Sequence, residues 1–93
     1  MIPVRWLRRS LLNIESIYEF YLRENLASEA AKQMSIIKRS VDQLQTFPEL
    51  GKPGRVNGTR ELIINRTPFI VIYRISEVSV EILRVLHCAQ RWP

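Results

Sequence analysis

Apolar and polar positions alternate at the start of the chain. Ile2, Val4 and Trp6 fall to one side, Pro3 and Arg5 to the other, which predicts a short strand over residues 2–6 near a sheet edge. From Ser10 the period lengthens. Leu11, Ile14, Tyr18 and Tyr21 recur at steps of three and four, while Glu15, Glu19, Arg23 and Glu24 take the other face. This is an amphipathic helix with Ser10 as its expected N-cap and a break near Asn25. A second helix follows, capped by Ser28, with Ala30, Met34, Ile37, Val41 and Leu44 as its buried stripe. Small residues at Ala27, Ala30 and Ala31 let the two helices pack closely as an antiparallel hairpin. Phe47-Pro48 ends the second helix, because a residue before proline avoids the helical region.

Residues 48–58 carry two of the five prolines and all three glycines, the composition of a loop built from turns. The pattern then becomes strand-like. Residues 60–66 lead through Thr67-Pro68 into FIVIYRI, residues 69–75, whose run of apolar positions suits a central strand covered on both faces. Ser76–Ser79 make a tight connection to a last strand, Val80 to Leu86. The order β-α-α-β-β-β predicts an α+β fold, a helical hairpin on one face of a small, mainly antiparallel sheet. The expected core joins Leu11, Ile14, Tyr18, Met34, Ile37, Val41, Leu44, Val71 and Ile82.

Ninety-three residues suffice for one core, so residues 1–93 read as one domain. An apolar content of 46% with 25% charged residues is ordinary globular composition. The single cysteine, Cys88, cannot form a disulfide within the chain. The start, MIPVRWLRRS, lacks the long apolar stretch of a secretion signal, and no run is long enough to span a bilayer. A cytoplasmic protein without membrane contact is the expectation. A net charge of +5 suits an anionic partner.

Most catalytic templates fail. There is no phosphate-binding glycine loop and no nucleophile elbow, and one His with one Cys cannot complete a metal site. No metal and no cofactor are expected. His87 and Cys88 are adjacent, and neighbours on an extended strand point to opposite faces, which argues against a nucleophile–base pair. Arg60, Arg66, Arg74 and Arg84 fall in or beside strands. They either pair with Glu61, Glu77 or Glu81, or together give the open sheet face a set of guanidinium groups for phosphate or carboxylate. His87 follows the last strand and can change charge near neutral pH. Trp92 is expected to anchor the tail on the core rather than to face a partner.

The block RELIINRTPFIVIYRI followed by VEILRVLHCAQRWP resembles the RelE/ParE superfamily, the toxin halves of bacterial type II toxin–antitoxin operons. The similarity runs the length of the chain and implies the same β-α-α-β-β-β fold. It also implies a small antitoxin as partner, in a toxin–antitoxin hetero-oligomer. Two activities occur in the superfamily. RelE-like members cut mRNA on the ribosome, and ParE-like members inhibit DNA gyrase without acting as nucleases.

A RelE-like reading makes His87, Arg84 and Arg60 the catalytic candidates, with Glu61 the one carboxylate available as a second acid or base. Against it, Glu61 and Ile63 stand where RelE carries lysines, and Ile70 stands where it carries arginine. The ending shortly after His87 resembles ParE-like chains, and gyrase inhibition is the preferred implication. Arg60, Arg66, Arg74, Arg84, His87, Arg91 and Trp92 are then candidates for contact with target or partner. A third alternative is an inactive homologue that only binds its antitoxin and regulates their operon.

Overall fold

A computed structural model describes residues 1–93. Strand β1 (Val4–Trp6) leads into helix α1 (Arg8–Arg23) and helix α2 (Ala27–Asp42), extended by a single 3-10 turn at Gln43–Gln45. Strands β2 (Lys52–Pro53), β3 (Arg60–Ile63), β4 (Phe69–Ile75) and β5 (Val80–His87) complete the chain. The sheet order is β1-β5-β4-β3-β2, with β1 parallel to β5 and every other pair antiparallel. The α+β architecture and the helical hairpin match the expectation. β2 is an addition, a two-residue strand inside the segment read as pure loop.

Neither helix begins at its expected serine. β1 continues its ladder as far as Leu7, whose N–H reaches the Ile82 carbonyl at 3.0 Å, and α1 starts at Arg8 directly behind it. Leu7 is therefore the N-cap. Ser10 lies inside the first turn, fully buried, its hydroxyl donating to the Leu7 carbonyl at 2.6 Å. In the same way Leu26, not Ser28, precedes the first turn of α2. The break at Asn25 is as expected. Asn25 takes φ 57°, its N–H donates to Leu22, and the Leu26 N–H reaches back to Tyr21 at 2.8 Å. These are the two bonds of a Schellman ending, with asparagine where glycine is commonest.

The core lies between the hairpin and the sheet. Ile37, Val41 and Leu44 pack there with Val71, Tyr73, Val80, Ile82 and Val85, while Ile14 and Met34 reach it half-buried. Leu11 and Tyr18 do not belong to it, being 52% and 43% exposed. The apolar stripe of α1 is wider than the sheet can cover, and these residues fall on its outer side. On α2 the deep position between Ala30 and Ile37 is held by Gln33 rather than Met34. Its amide donates to Glu29 at 3.2 Å.

Tyr73 ties the loop before β2 to the core. Its hydroxyl donates to the Pro48 carbonyl at 2.7 Å and accepts the Gly51 N–H at 2.8 Å. Gly51 has no room for a side chain, since an added Cβ would lie 2.8 Å from the tyrosine ring and hydroxyl. Tyr73→Phe strands two backbone groups and should cost about 1–3 kcal/mol.

Burial raises the Tyr73 pKa above 10.0, opposed in part by the Gly51 hydrogen bond and the charge of Arg60, and Tyr21 shifts the same way through burial and the charge of Glu29. The folded state thus prefers the neutral phenol. Its contribution is whole below the unfolded pKa near 10.0 and is lost as pH rises through the higher folded value. Urea midpoints should fall between about pH 9 and about pH 11, and fall less in Tyr73→Phe. An equal fall in both proteins would show that Tyr73 does not carry the effect.

Candidate functional site

The bulge in β5 decides where its side chains go. Ile72 pairs with Arg84 but Tyr73 pairs with Ile82, so Leu83 is an extra residue in the ladder. Strict alternation from Val80 and Ile82 would turn Arg84 into the core. The extra residue instead gives that side of the sheet to Val85, which is 2% exposed, and then to His87. Nothing in the apolar pattern of residues 80–86 signalled this slip.

Arg84 is half-buried against α1. Its Nε donates to Asn13 Oδ1 at 2.9 Å, and the same oxygen accepts the Val85 N–H at 3.0 Å. Asn13 thus fixes both the strand and the guanidinium. Burial, and then the charge of Arg9, lower the Arg84 pKa from its usual value. Neither Asn13 nor Arg9 was among the residues singled out from the sequence. Asn13, a polar residue between Leu12 and Ile14, was the available clue.

His87 ends β5 opposite Phe69, the two rings edge to face with centroids 6.0 Å apart. The turn that follows holds the imidazole in place. The His87 N–H donates to Gln90 Oε1 at 2.6 Å, the Gln90 N–H returns to the His87 carbonyl at 2.8 Å, and the Ala89 N–H donates to Nδ1 at 3.1 Å. With Nδ1 accepting, the neutral ring carries its proton on Nε2. Cys88 lies nearer this ring than strand alternation implies, Sγ to Nδ1 4.0 Å, because the strand stops at His87. A groove of about 430 Å³ runs from Asn13 along α1 past Ile17 and Phe20 to Phe69, His87 and Gln90.

The other arginines are dispersed. Arg60 sits beside Tyr73 and donates to the Gly51 carbonyl at 2.6 Å, bracing the same loop. Arg74 binds Glu81 at 2.6 Å on the face away from the helices, and Arg5 approaches the same carboxylate at 3.8 Å. Glu77 takes no part in an ion pair. Arg66 is exposed in the turn before β4, at φ 69°. Arg91 is exposed in the tail, and Trp92 is half-buried with its indole nitrogen sealed from solvent. The open sheet face therefore does not gather Arg60, Arg66, Arg74 and Arg84.

Glu61, the sequence candidate for a second acid or base, is 3% exposed and accepts the Arg55 N–H at 3.1 Å, with Arg55 Nε 3.8 Å away. It pairs with Ile72, three residues along β4 from the Phe69–His87 pair, roughly 10 Å at the rise of a strand. Arg60 is one residue further along β4. The structure brings Arg84 towards α1 and leaves His87 apart from Arg60 and Glu61.

Two helices against a five-stranded mixed sheet in this order are the architecture of the RelE/ParE superfamily. The structure aligns with that of the chromosomal ParDE toxin–antitoxin system of P. aeruginosa with a TM-score of 0.85 and 28% identity, covering 94% of this chain and 96% of that one. It aligns with the RelBE2 toxin–antitoxin complex of Mycobacterium tuberculosis with a TM-score of 0.63 over 96% and 93% of the two chains, a likeness of fold at 22% identity. In sequence it is 40% identical over 90 residues to the Y4kP protein of Sinorhizobium fredii, spanning 97% of this chain and 92% of that protein. Residues 4–92 match the family described as ParE toxin of type II toxin–antitoxin system, parDE. The chain belongs to the ParE toxin family.

Proposed function

We propose that this toxin arrests growth by binding DNA gyrase, and that an antitoxin made beside it in the cytoplasm neutralises it. The observation that carries this reading is the separation of the groups an RNase would need. Cleavage at a 2′-hydroxyl requires a base, an acid and phosphate-binding cations around one bond. Here the titratable group beside His87 is the Cys88 thiol, 4.0 Å from Nδ1, while Glu61 is locked to Arg55 and Arg60 is committed to backbone carbonyls. What the surface offers instead is a shaped groove with fixed polar groups at both ends, suited to binding rather than to bond cleavage. The likeness to the ParDE structure supports the same conclusion.

The direct test is supercoiling of relaxed plasmid by purified gyrase with the chain added. Inhibited supercoiling, or linear DNA released by denaturing the gyrase–DNA complex, is expected. Unaffected gyrase together with cleavage of mRNA on purified ribosomes would replace this reading with the RelE-like one.

A further inference from the structure

Part of the chain's positive charge is answered from within. Arg5 and Arg74 share Glu81, Arg23 meets Glu19, Lys38 meets Asp42, and Arg55 meets Glu61. Arg9 and Arg84 have no carboxylate within 4.0 Å, although each stands where a cation is costly. Arg9 lies in the first turn of α1, which holds no acidic residue and where the helix dipole repels positive charge. Arg84 is partly desolvated beside it, and both burial and the Arg9 charge press on its ionisation.

The geometry at Arg84 is already set for a ligand. Its Nε is engaged by Asn13 Oδ1 and that oxygen is pinned by the Val85 N–H, so the plane of the guanidinium is fixed while its two terminal nitrogens are uncommitted. A fixed fork of this kind takes an oxyanion in two parallel bonds. Arg9 stands one turn before Asn13 on the same helix, and Asn13 is where the groove along α1 begins.

We propose that Arg9 and Arg84 form a notch for a carboxylate side chain of a protein partner, and that the apolar residues following that carboxylate in the partner fill the groove over Ile17, Phe20 and Phe69. This rests on the reading of the chain as a toxin covered by an antitoxin, and names the chemistry one stretch of that partner must have. A protein segment fits better than a nucleic-acid strand. A phosphodiester backbone repeats its charge at every nucleotide and calls for a track of cations. This surface has one cationic notch and then half-apolar walls. An acidic segment also complements a chain of net charge +5.

The test uses the purified full-length chain and three probes: a short synthetic peptide with one glutamate followed by leucines at helical spacing, its glutamine counterpart, and a short single-stranded DNA. The glutamate peptide should bind about tenfold more tightly than the glutamine one. That preference should vanish in Arg84→Gln, and equally in Arg9→Gln, whose site in the first turn of α1 is outside the core, so that its thermal melt should match the parent or exceed it. Equal binding of the two peptides, binding of neither, or displacement of the peptide by the DNA would each overturn the proposal. Growth arrest that no co-produced antitoxin relieves would sink the antitoxin reading instead, and leaves the peptide preference of the purified chain as a separate result.

Discussion

Val41→Asp should leave the chain unfolded at ordinary temperature. Val41 is fully buried on the inner face of α2, packed in the cluster that joins Ile37 and Leu44 to the sheet strands. An aspartate there must either stay charged without a partner or take up a proton, and either course costs several kcal/mol. The total stability of a domain this small is on the order of 5–10 kcal/mol, so one such change removes most of it. Circular dichroism at about 25 °C is the measurement, with Val41→Ala as the volume control, expected to melt at lower temperature but to fold. A cooperative melt of Val41→Asp at the parent temperature would mean that α2 does not face the sheet.

Growth arrest should survive His87→Ala. In a nuclease, removing a proton-transfer group lowers the rate by about 10²- to 10⁴-fold, and toxicity would collapse with it. In a gyrase inhibitor the same change trims one wall of a groove and removes the Ala89 N–H bond to the imidazole and the ring contact with Phe69. The expected outcome on induction is intact transcripts, plasmid DNA of altered topology, and arrest within a few-fold of the parent. Codon-phased cuts in mRNA that disappear in His87→Ala would reverse the assignment.

Apart from β2, the elements were legible in the sequence because each is declared by a local pattern. The steps of three and four through Ile37, Val41 and Leu44, the proline after Phe47 and the apolar run of β4 are all short-range signals. The cap positions were not, since Ser10 and Ser28 carry the usual cap chemistry and only the sheet register at Leu7 shows that α1 has already begun. The over-wide stripe of α1 had the same limitation. Periodicity says which residues share a face and not how much of that face another element covers, so Leu11 and Tyr18 were placed inside.

The candidate site was the least legible part. Residue type pointed to His87 and the arginines, but their grouping depends on one extra residue at Leu83 and on Asn13, 71 positions from Arg84 in the chain. In sequence Arg60 and Arg74 read equally as partners of Glu61, Glu77 or Glu81 or as members of a cationic sheet face. The fold spends the first on the Gly51 carbonyl and the second on Glu81.

The sheet order has a bearing on synthesis. β5 is flanked by β1 and β4, and β1 has no other strand to pair with, although every helix and strand precedes β5 in the chain. Until β5 has emerged from the ribosome, β1 has no partner, and the core lacks Val80, Ile82 and Val85 from the side facing the hairpin. Such pairing across the length of a chain closes slowly and late. A nascent chain stalled before residue 80 can hold a helical hairpin and the β2–β3–β4 meander but not the groove, because Val85, Phe69 and His87 are brought together only when β5 inserts. The groove is thus assembled in one step, when β5 inserts between β1 and β4, rather than by degrees as the chain folds.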